Sequence, residues 1–405
     1  MQAPLPKQAL AGLRVLDLSR VLAGPWASQL LGDLGADVVK VERPDTGDDT
    51  RAWGPPWLEG EAGPTSESAY FVCANRNKRS LTLDLATPEG QELARRLALK
   101  ADVVIENFKA GGLRQYGLDH ESLRAANPSL IYCSITGFGQ SGPFAARAGY
   151  DFLIQGLGGL MSVTGQPDGQ PGAGPMKVGV ALTDIMTGLY STVAILAALA
   201  HRQGTGEGQH IDMSLLDVQV ACLANQASNY LVGGVVPRPL GNAHPNIVPY
   251  QDFPTSDGHM IIAVGNDGQF AGLCKALDRA HWAADERFAT NPARVAHRAE
   301  IVALIKQVTV TRTTSEWVSS LERAGVPCGP INAIDQVFAD PHVQARGLRV
   351  AMAHPHAEAV SMVANPIRLS ATPVEYRRAP PLLGQHTAEV LADWLSVDVG
   401  AARSQ

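Results

Sequence analysis

The stretches Leu13-Arg-Val-Leu-Asp-Leu18, Leu22-Ala-Gly-Pro-Trp-Ala27 and Ala36-Asp-Val-Val-Lys-Val-Glu42 decide the fold class. The first and last are short runs rich in Val and Leu that read as strands, and Pro25 to Asp33 reads as a helix between them, giving a β-α-β unit. Pro25 suits the first turn of that helix, and free N–H groups there suit an anionic ligand. The GxGxxG spacing that lets a pyrophosphate approach the backbone is missing, which argues against a nicotinamide dinucleotide. Arg43 directly follows the second strand, where nucleotide-binding units place a group that meets the ribose; a cation there suits a phosphorylated ribose, and the plainer alternative is a surface arginine.

The same alternation continues outward. Leu81-Thr-Leu-Asp-Leu85 reads as a strand, residues 88–100 as a helix, and Asp102-Val-Val-Ile-Glu-Asn107-Phe108 and Leu130-Ile-Tyr-Cys-Ser-Ile-Thr136 as strands with polar residues at their carboxyl ends. Ligands bind at those ends in open parallel sheets. The pattern predicts an α/β fold with a mostly parallel sheet. A helical stretch is expected from Ile211 to Leu231, followed by a Gly-, Pro- and Asn-rich segment over residues 233–254. A second unit follows, with a strand at Met260-Ile-Ile-Ala-Val264 and helices near residues 269–277, 295–308 and 314–324, and Gly329-Pro330 marks the return.

Val178-Gly-Val-Ala-Leu-Thr-Asp184-Ile-Met-Thr-Gly188 is an apolar run that reaches a carboxylate and passes into a long apolar helix. Taken alone, Asp184 reads as a helix cap. Residues 185–200 fall short of the roughly 18 apolar residues of a spanning helix and are broken by Thr187, Gly188, Ser191 and Thr192, so a buried helix is expected. The 405 residues suit two or three domains, and a formal charge of −6 without a basic block argues against nucleic acid or a membrane surface as partner. Five widely spaced cysteines lack metal-ligand spacing, so no metal site is expected. Their distribution and the absence of an apolar signal core in Met1-Gln-Ala-Pro-Leu-Pro-Lys7 suggest a cytoplasmic protein with reduced thiols.

Residues 18–25, Val41-Glu-Arg-Pro44, Asn77-Lys-Arg-Ser80, Glu106-Asn-Phe108, Ser134-Ile-Thr-Gly-Phe-Gly139, Asp184 with Gly188, and Pro381-Leu-Leu-Gly-Gln-His386 occur in the order and spacing of the class III CoA-transferases, which this chain resembles over nearly its whole length. The resemblance implies a Rossmann-like large domain with a parallel sheet, a smaller α/β domain, and an interlocked homodimer. The corresponding division is residues 1–220 for the first part of the large domain, 221–330 for linker and small domain, and 331–405 for a segment returning to the large domain. It implies Asp184 as nucleophile and CoA contacts at Leu22, Ala23, Arg43, Leu83, Asn107 and Phe108. The formyl-CoA transferase branch has a glutamine at Leu22, an arginine at Gln115 and a lysine at Ala86, with Arg114 and Lys109 as substitutes in this chain.

The implied chemistry needs no permanently bound cofactor: coenzyme A thioesters are substrates, together with a small carboxylic acid. An ionised Asp184 attacks the acyl carbonyl to form an anhydride, and an aspartyl-CoA thioester follows. N–H groups at the helix start are expected to keep Asp184 ionised, with Gly188 permitting close backbone approach. The α-methylacyl-CoA racemases of the same superfamily are the alternative; they carry a His where this chain has Tyr150 in Gly149-Tyr150-Asp151, and a phenol is a poor base near neutral pH. Residues 47–56, 220–229 and 243–251 most resemble succinyl-CoA-dependent dicarboxylate transferases, nearest to the glutarate enzyme. A distal carboxylate needs a cation, for which Arg51, Arg76, Arg147 and, more weakly, His244 are candidates, with Tyr150 beside them.

Overall fold

Six strands form one parallel sheet: β1 (Arg14–Asp17), β2 (Asp37–Glu42), β3 (Lys78–Thr82), β4 (Val103–Glu106), β5 (Ile131–Thr136) and β6 (His210–Ser214), in the spatial order β3-β2-β1-β4-β5-β6. This is the doubly wound order of dinucleotide-binding folds, and it reverses between β1 and β4. The structure is a computed structural model that describes residues 8–60 and 63–397, so the expectation placed on Met1–Lys7 lies outside the described residues. The α/β, Rossmann-like sheet expected from the alternating pattern is present. One reading is corrected: residues 210–214 do not begin a helix but form β6, because Ile211 and Met213 alternate onto an apolar face while the backbone pairs with β5.

A parallel sheet of this kind is covered on both faces. The helices that cover it are α1 (Ala23–Asp33), α2 (Pro88–Ala98), α3 (His120–Ala126), α4 (Asp151–Leu157), α5 (Leu182–Thr205) and α6 (Thr387–Leu395). Alternate strand residues feed two separate cores. Leu16, Val39, Leu81 and Val104 pack with Leu97 of α2, Leu123 of α3 and Trp394 of α6. Val15, Val38, Val103, Ile105 and Ile131 pack with Leu31 of α1 and Ile195 of α5 on the other face. The C-terminal segment is tied back by charge as well as packing: Arg79 of β3 pairs with Asp37, with Asp393 at 3.0 Å and with Glu389 at 3.1 Å, and the Trp394 indole donates to Asp37 at 2.9 Å.

Contacts divide the chain into two compact units. The first holds the described residues up to Met161, Lys177–Val235 and those from Gln344 onward; the second holds Ser162–Met176 and Val236–Val343. Against the expected division, the breaks at 220/221 and 330/331 fall later, since helix Ala224–Gly233 stays with the first unit and helix Ile334–Ala339 with the second, and Ser162–Met176, expected in the large domain, belong to the second unit. In the second unit, antiparallel strands Tyr250–Pro254, His259–Ala263 and Cys328–Pro330 pack with helices Asp267–Ala276, Arg298–Thr309 and Thr314–Arg323 around Phe253, Phe270, Ile301 and Trp317. Arg294 is fully buried there because the Val248 and Phe288 carbonyls and the Asp267 carboxylate saturate its guanidinium.

Helix α5 corrects the expectation of a buried helix. Thr187, Gly188, Ser191, Thr192 and Ile195 face the interior, while Leu189 and Tyr190 are exposed and Val193 is 64% exposed. By length and composition alone Leu182–Thr205 is long and apolar enough to cross a membrane, a test that core helices of soluble proteins also pass. Its buried side is the smaller, more polar one because α1 approaches closely: a Cβ on Gly188 would lie 2.7 Å from the Ala23 carbonyl oxygen and 3.0 Å from the Trp26 Cβ. Gly188→Ala is expected to force the two helices apart and lower stability by about 1–3 kcal/mol, measured as a fall in the thermal unfolding midpoint; an unchanged midpoint would contradict this packing.

Candidate active site

The carboxyl ends of β1, β4 and β5 wall a cleft of about 420 Å³ at the point where the strand order reverses, a volume and position usual for small-molecule sites. Arg20 to Ala23 follow β1, Asn107 to Ala110 follow β4, Thr136 and Gly137 end β5, Arg147 to Tyr150 lead into α4, and Asp184 enters from the first turn of α5. One close backbone crossing shapes this wall. A Cβ on Gly137 would meet the Gly149 Cα at 2.6 Å, and a Cβ on Gly149 would meet the Gly137 Cα at 2.6 Å, so both positions need glycine.

Asp184 is not the helix cap. Helix α5 begins after Ala181, and its N–H groups at Thr183 and Asp184 donate to Asp151 Oδ1 at 2.9 and 3.3 Å, while Gln155 Nε2 donates to Asp151 Oδ2 at 2.7 Å. Asp151, in the first turn of α4, thus supplies from a distance the acceptor that a local N-cap usually provides. Asp184 is 9% exposed, and its carboxylate receives no hydrogen bond among the described residues. Burial, and then the neighbouring Asp151 charge, push its pKa up to about 7. The expectation that helix amides hold Asp184 fully ionised is therefore corrected, because Asp151 takes those amides and adds a like charge.

Leu22, Ala23, Asn107, Phe108, Arg147, Tyr150 and Asp184 are brought to this one cleft. Asn107 acts mainly on the backbone: its Oδ1 accepts from Arg20 N at 2.9 Å and its Nδ2 donates to the Arg20 carbonyl at 2.7 Å. The Phe108 N–H donates to Glu106 at 2.8 Å, and the Arg20 guanidinium stands 5.7 Å from the Phe108 ring centroid while pairing with Asp49 at 3.0 Å. Arg147 lies over the Phe138 and Phe144 rings, at 5.1 and 4.6 Å, and has no carboxylate partner among the described residues. Tyr150 is 65% exposed at the residue preceding α4.

The other expected residues lie elsewhere. Arg43 pairs with Asp49 at 2.8 Å just outside the cleft wall, and Leu83 packs into the core beneath the sheet. Arg51 is buried, with a bidentate pair to Glu42, a further pair to Glu67 and a bond to the Pro381 carbonyl. Arg76 is likewise buried on Asp33, bidentate, and on the Val363 carbonyl. Their forks are saturated by the protein, so neither is free to grip a substrate carboxylate. His244 belongs to the second unit, where its Nδ1 accepts from Asn246 N at 3.1 Å. Among the described residues no group of three or more His, Cys, Asp or Glu side chains is arranged to hold a metal.

Residues 10–387 match the family model for CoA-transferase family III. The chain belongs to that family. It is 56% identical over 395 residues to the succinate–glutarate CoA-transferase of Agrobacterium fabrum, covering 98% of both chains. Over 389 residues it is 44% identical to the human succinyl-CoA:glutarate CoA-transferase, covering 96% of this chain and 86% of the human one. The crystal structure of a CAIB/BAIF family protein from Brucella suis superposes with a TM-score of 0.84 at 53% identity, covering 96% of this chain and 99% of the other.

In this family III CoA-transferase, Arg20 and Asp151 are the site residues that the sequence did not single out. Arg20 sat within a quoted motif, but its position over Phe108 depends on a strand 85 or so residues later being adjacent. Asp151 gave no local signal, because the helix it caps begins some 30 residues downstream. The raised Asp184 pKa has a stability consequence. Its folded value, about 7, lies above its ordinary value of 3.8, so stability present below pH 4 is lost as pH rises through 7. Asp184→Asn is expected to be more stable than the parent by roughly 2–4 kcal/mol at pH 8, the difference vanishing toward pH 4; chemical denaturation at both pH values checks it.

Proposed function

We propose that this family III CoA-transferase moves CoA from succinyl-CoA to glutarate or a dicarboxylate of similar size, with Asp184 as the nucleophile. The observation that carries the substrate assignment is the 56% identity, across 98% of both chains, to a succinate–glutarate CoA-transferase. The cleft supports the chemistry: it is lined by the buried Asp184 carboxylate and by the Arg147 guanidinium, which has no carboxylate partner among the described residues, and no histidine is among the residues lining it. That composition favours acyl transfer over the base-mediated proton abstraction of a racemase.

In the first step an Asp184 carboxylate oxygen attacks the thioester carbonyl, the C–S bond breaks, and the electron pair leaves on the CoA thiolate. The thiolate then attacks the aspartyl carbonyl of the anhydride, releasing succinate and leaving an aspartyl-CoA thioester. The acceptor carboxylate attacks that thioester, freeing the thiolate again, and the thiolate finally takes the acceptor's acyl group and restores Asp184. The overall exchange trades one acyl-CoA thioester for another and is close to isoenergetic, whereas the anhydrides lie uphill, so the site must hold the thiolate in place and exclude water. The free N–H groups at the start of α1, beside Leu22 and Ala23, suit the anionic part of CoA. Arg147 suits the distal carboxylate of the dicarboxylate. We also propose a homodimer, because the exposed apolar side of α5 at Leu189, Tyr190 and Val193 needs cover.

Mass spectrometry of products from succinyl-CoA with a panel of mono- and dicarboxylates tests the assignment: glutaryl-CoA is expected, and no exchange with any acid would refute it. Asp184→Ala is expected to abolish exchange while leaving CoA binding measurable. Arg147→Ala is expected to cost about 10- to 100-fold in kcat/KM for glutarate with far less effect on a monocarboxylate acceptor. In the parent, kcat/KM should rise with pH and level off above about 7 as Asp184 ionises. Sedimentation should report a dimer that Val193→Glu weakens.

A further inference from the structure

We infer that the buried Lys40–Asp48 pair is a positioning device for the cleft, holding the turn after β1 in a strained conformation that sets where Leu22 and Ala23 stand. The inference rests on reading the cleft as the CoA site. Its starting point is Val21, which has φ +72, a left-handed conformation that is costly for a β-branched residue. Such a conformation persists only where its surroundings impose it, and here three successive residues are gripped. Ser19 accepts from Lys40 Nζ at 2.8 Å through its carbonyl. Arg20 is clipped at both N–H and carbonyl by Asn107, at 2.9 and 2.7 Å. The Val21 N–H lies 3.3 Å from each carboxylate oxygen of Asp48.

The two grips from the β2 side are one unit. Lys40 Nζ meets Asp48 Oδ2 at 2.8 Å, and both side chains are fully buried. Asp48 is itself fixed by the Thr50 N–H and hydroxyl, at 3.0 and 2.8 Å, and its own N–H donates to Glu42 at 2.9 Å. Burial works against the Asp48 charge, but Lys40 and these donors bring its pKa down to about 2, so the pair remains ionised near neutral pH. A buried pair of this kind contributes little net stability against an apolar replacement. Its geometric effect is specific: the pair fixes the Ser19 carbonyl through Lys40 and the Val21 N–H through Asp48, so both peptide units that flank Arg20 are held immediately before the turn at Val21. Helix α1 has no side-chain cap, so the direction of its first N–H groups follows from that turn.

Calorimetric CoA binding and steady-state kinetics with succinyl-CoA test this in the full-length protein. Lys40→Met with Asp48→Ala removes both charges together and leaves none unpaired. The expected result is a rise of about tenfold or more in Kd for CoA, corresponding to release of the strained turn, with kcat changed far less. Adding Val21→Gly, for which the left-handed conformation is unstrained, should restore most of the lost affinity. An unchanged Kd in the double variant, or no recovery on adding Val21→Gly, would overturn the inference. If circular dichroism shows the double variant unfolded, Lys40→Met alone, with and without Val21→Gly, decides by the same comparison: weakened binding rescued by the glycine supports the strained turn, and any other result rejects it. A parent protein that fails to bind CoA would strike the reading of the cleft; a binding parent with unaltered variants strikes only the positioning role.

Discussion

A parallel sheet covered on both faces leaves its polar side chains no water, so each must find a partner within the protein or at the strand ends, and that constraint organises this molecule. The apolar residues of β1, β2 and β4 feed the two cores alternately. Buried charges lie among and beside these strands: Asp17 at the end of β1, Lys40 and Glu42 in the second half of β2, Lys78 at the start of β3 and Glu106 at the end of β4. Being buried, they survive only in pairs or networks, as Asp17 does with Lys78 at 3.2 Å and with Ser28 at 2.5 Å. The order reversal between β1 and β4 then opens a gap beside these charges, and the cleft occupies it.

Inside the cleft, electrostatics run against stability. Asp184 sits in a place that takes away its solvent, gives it no donor and sets Asp151 nearby, all of which disfavour the ion. A carboxylate held this way is a better nucleophile than one saturated with hydrogen bonds, at a cost that the rest of the fold must offset. Asp151 separates two tasks that one residue often combines. It satisfies the start of α5 and leaves the Asp184 oxygens free. Helix α5 shows the same division in its packing: its glycine- and hydroxyl-rich side meets α1 closely, and its larger apolar side faces outward.

Much of this was legible in the chain. The strand and helix signals around residues 13–42 and 102–136 gave the parallel sheet, and the motif order picked out Asp184, Leu22, Ala23, Asn107 and Phe108, all of which meet in the cleft. Arginine misled. Arg51 and Arg76 have the same fork, in equally polar loops, as Arg147, and nothing local distinguishes a guanidinium saturated by Glu42 and Glu67, or by Asp33, from one left unpaired over two phenyl rings. Strand β6 was missed because His210-Ile-Asp-Met-Ser214 is short and runs directly into a helix.

The sequence by itself determined the alternation of elements and the family to which the chain belongs, since both rest on residue types at fixed spacings, which local propensity and covalent order specify. Only the tertiary structure decided which charges are spent on one another. Whether Asp184 caps its helix, whether Arg147 or Arg76 is free, and why Val21 holds φ +72 all depend on partners that lie tens to hundreds of residues away and meet only when the sheet closes. Those pairings are long-range, and a linear pattern of residue types carries no record of them.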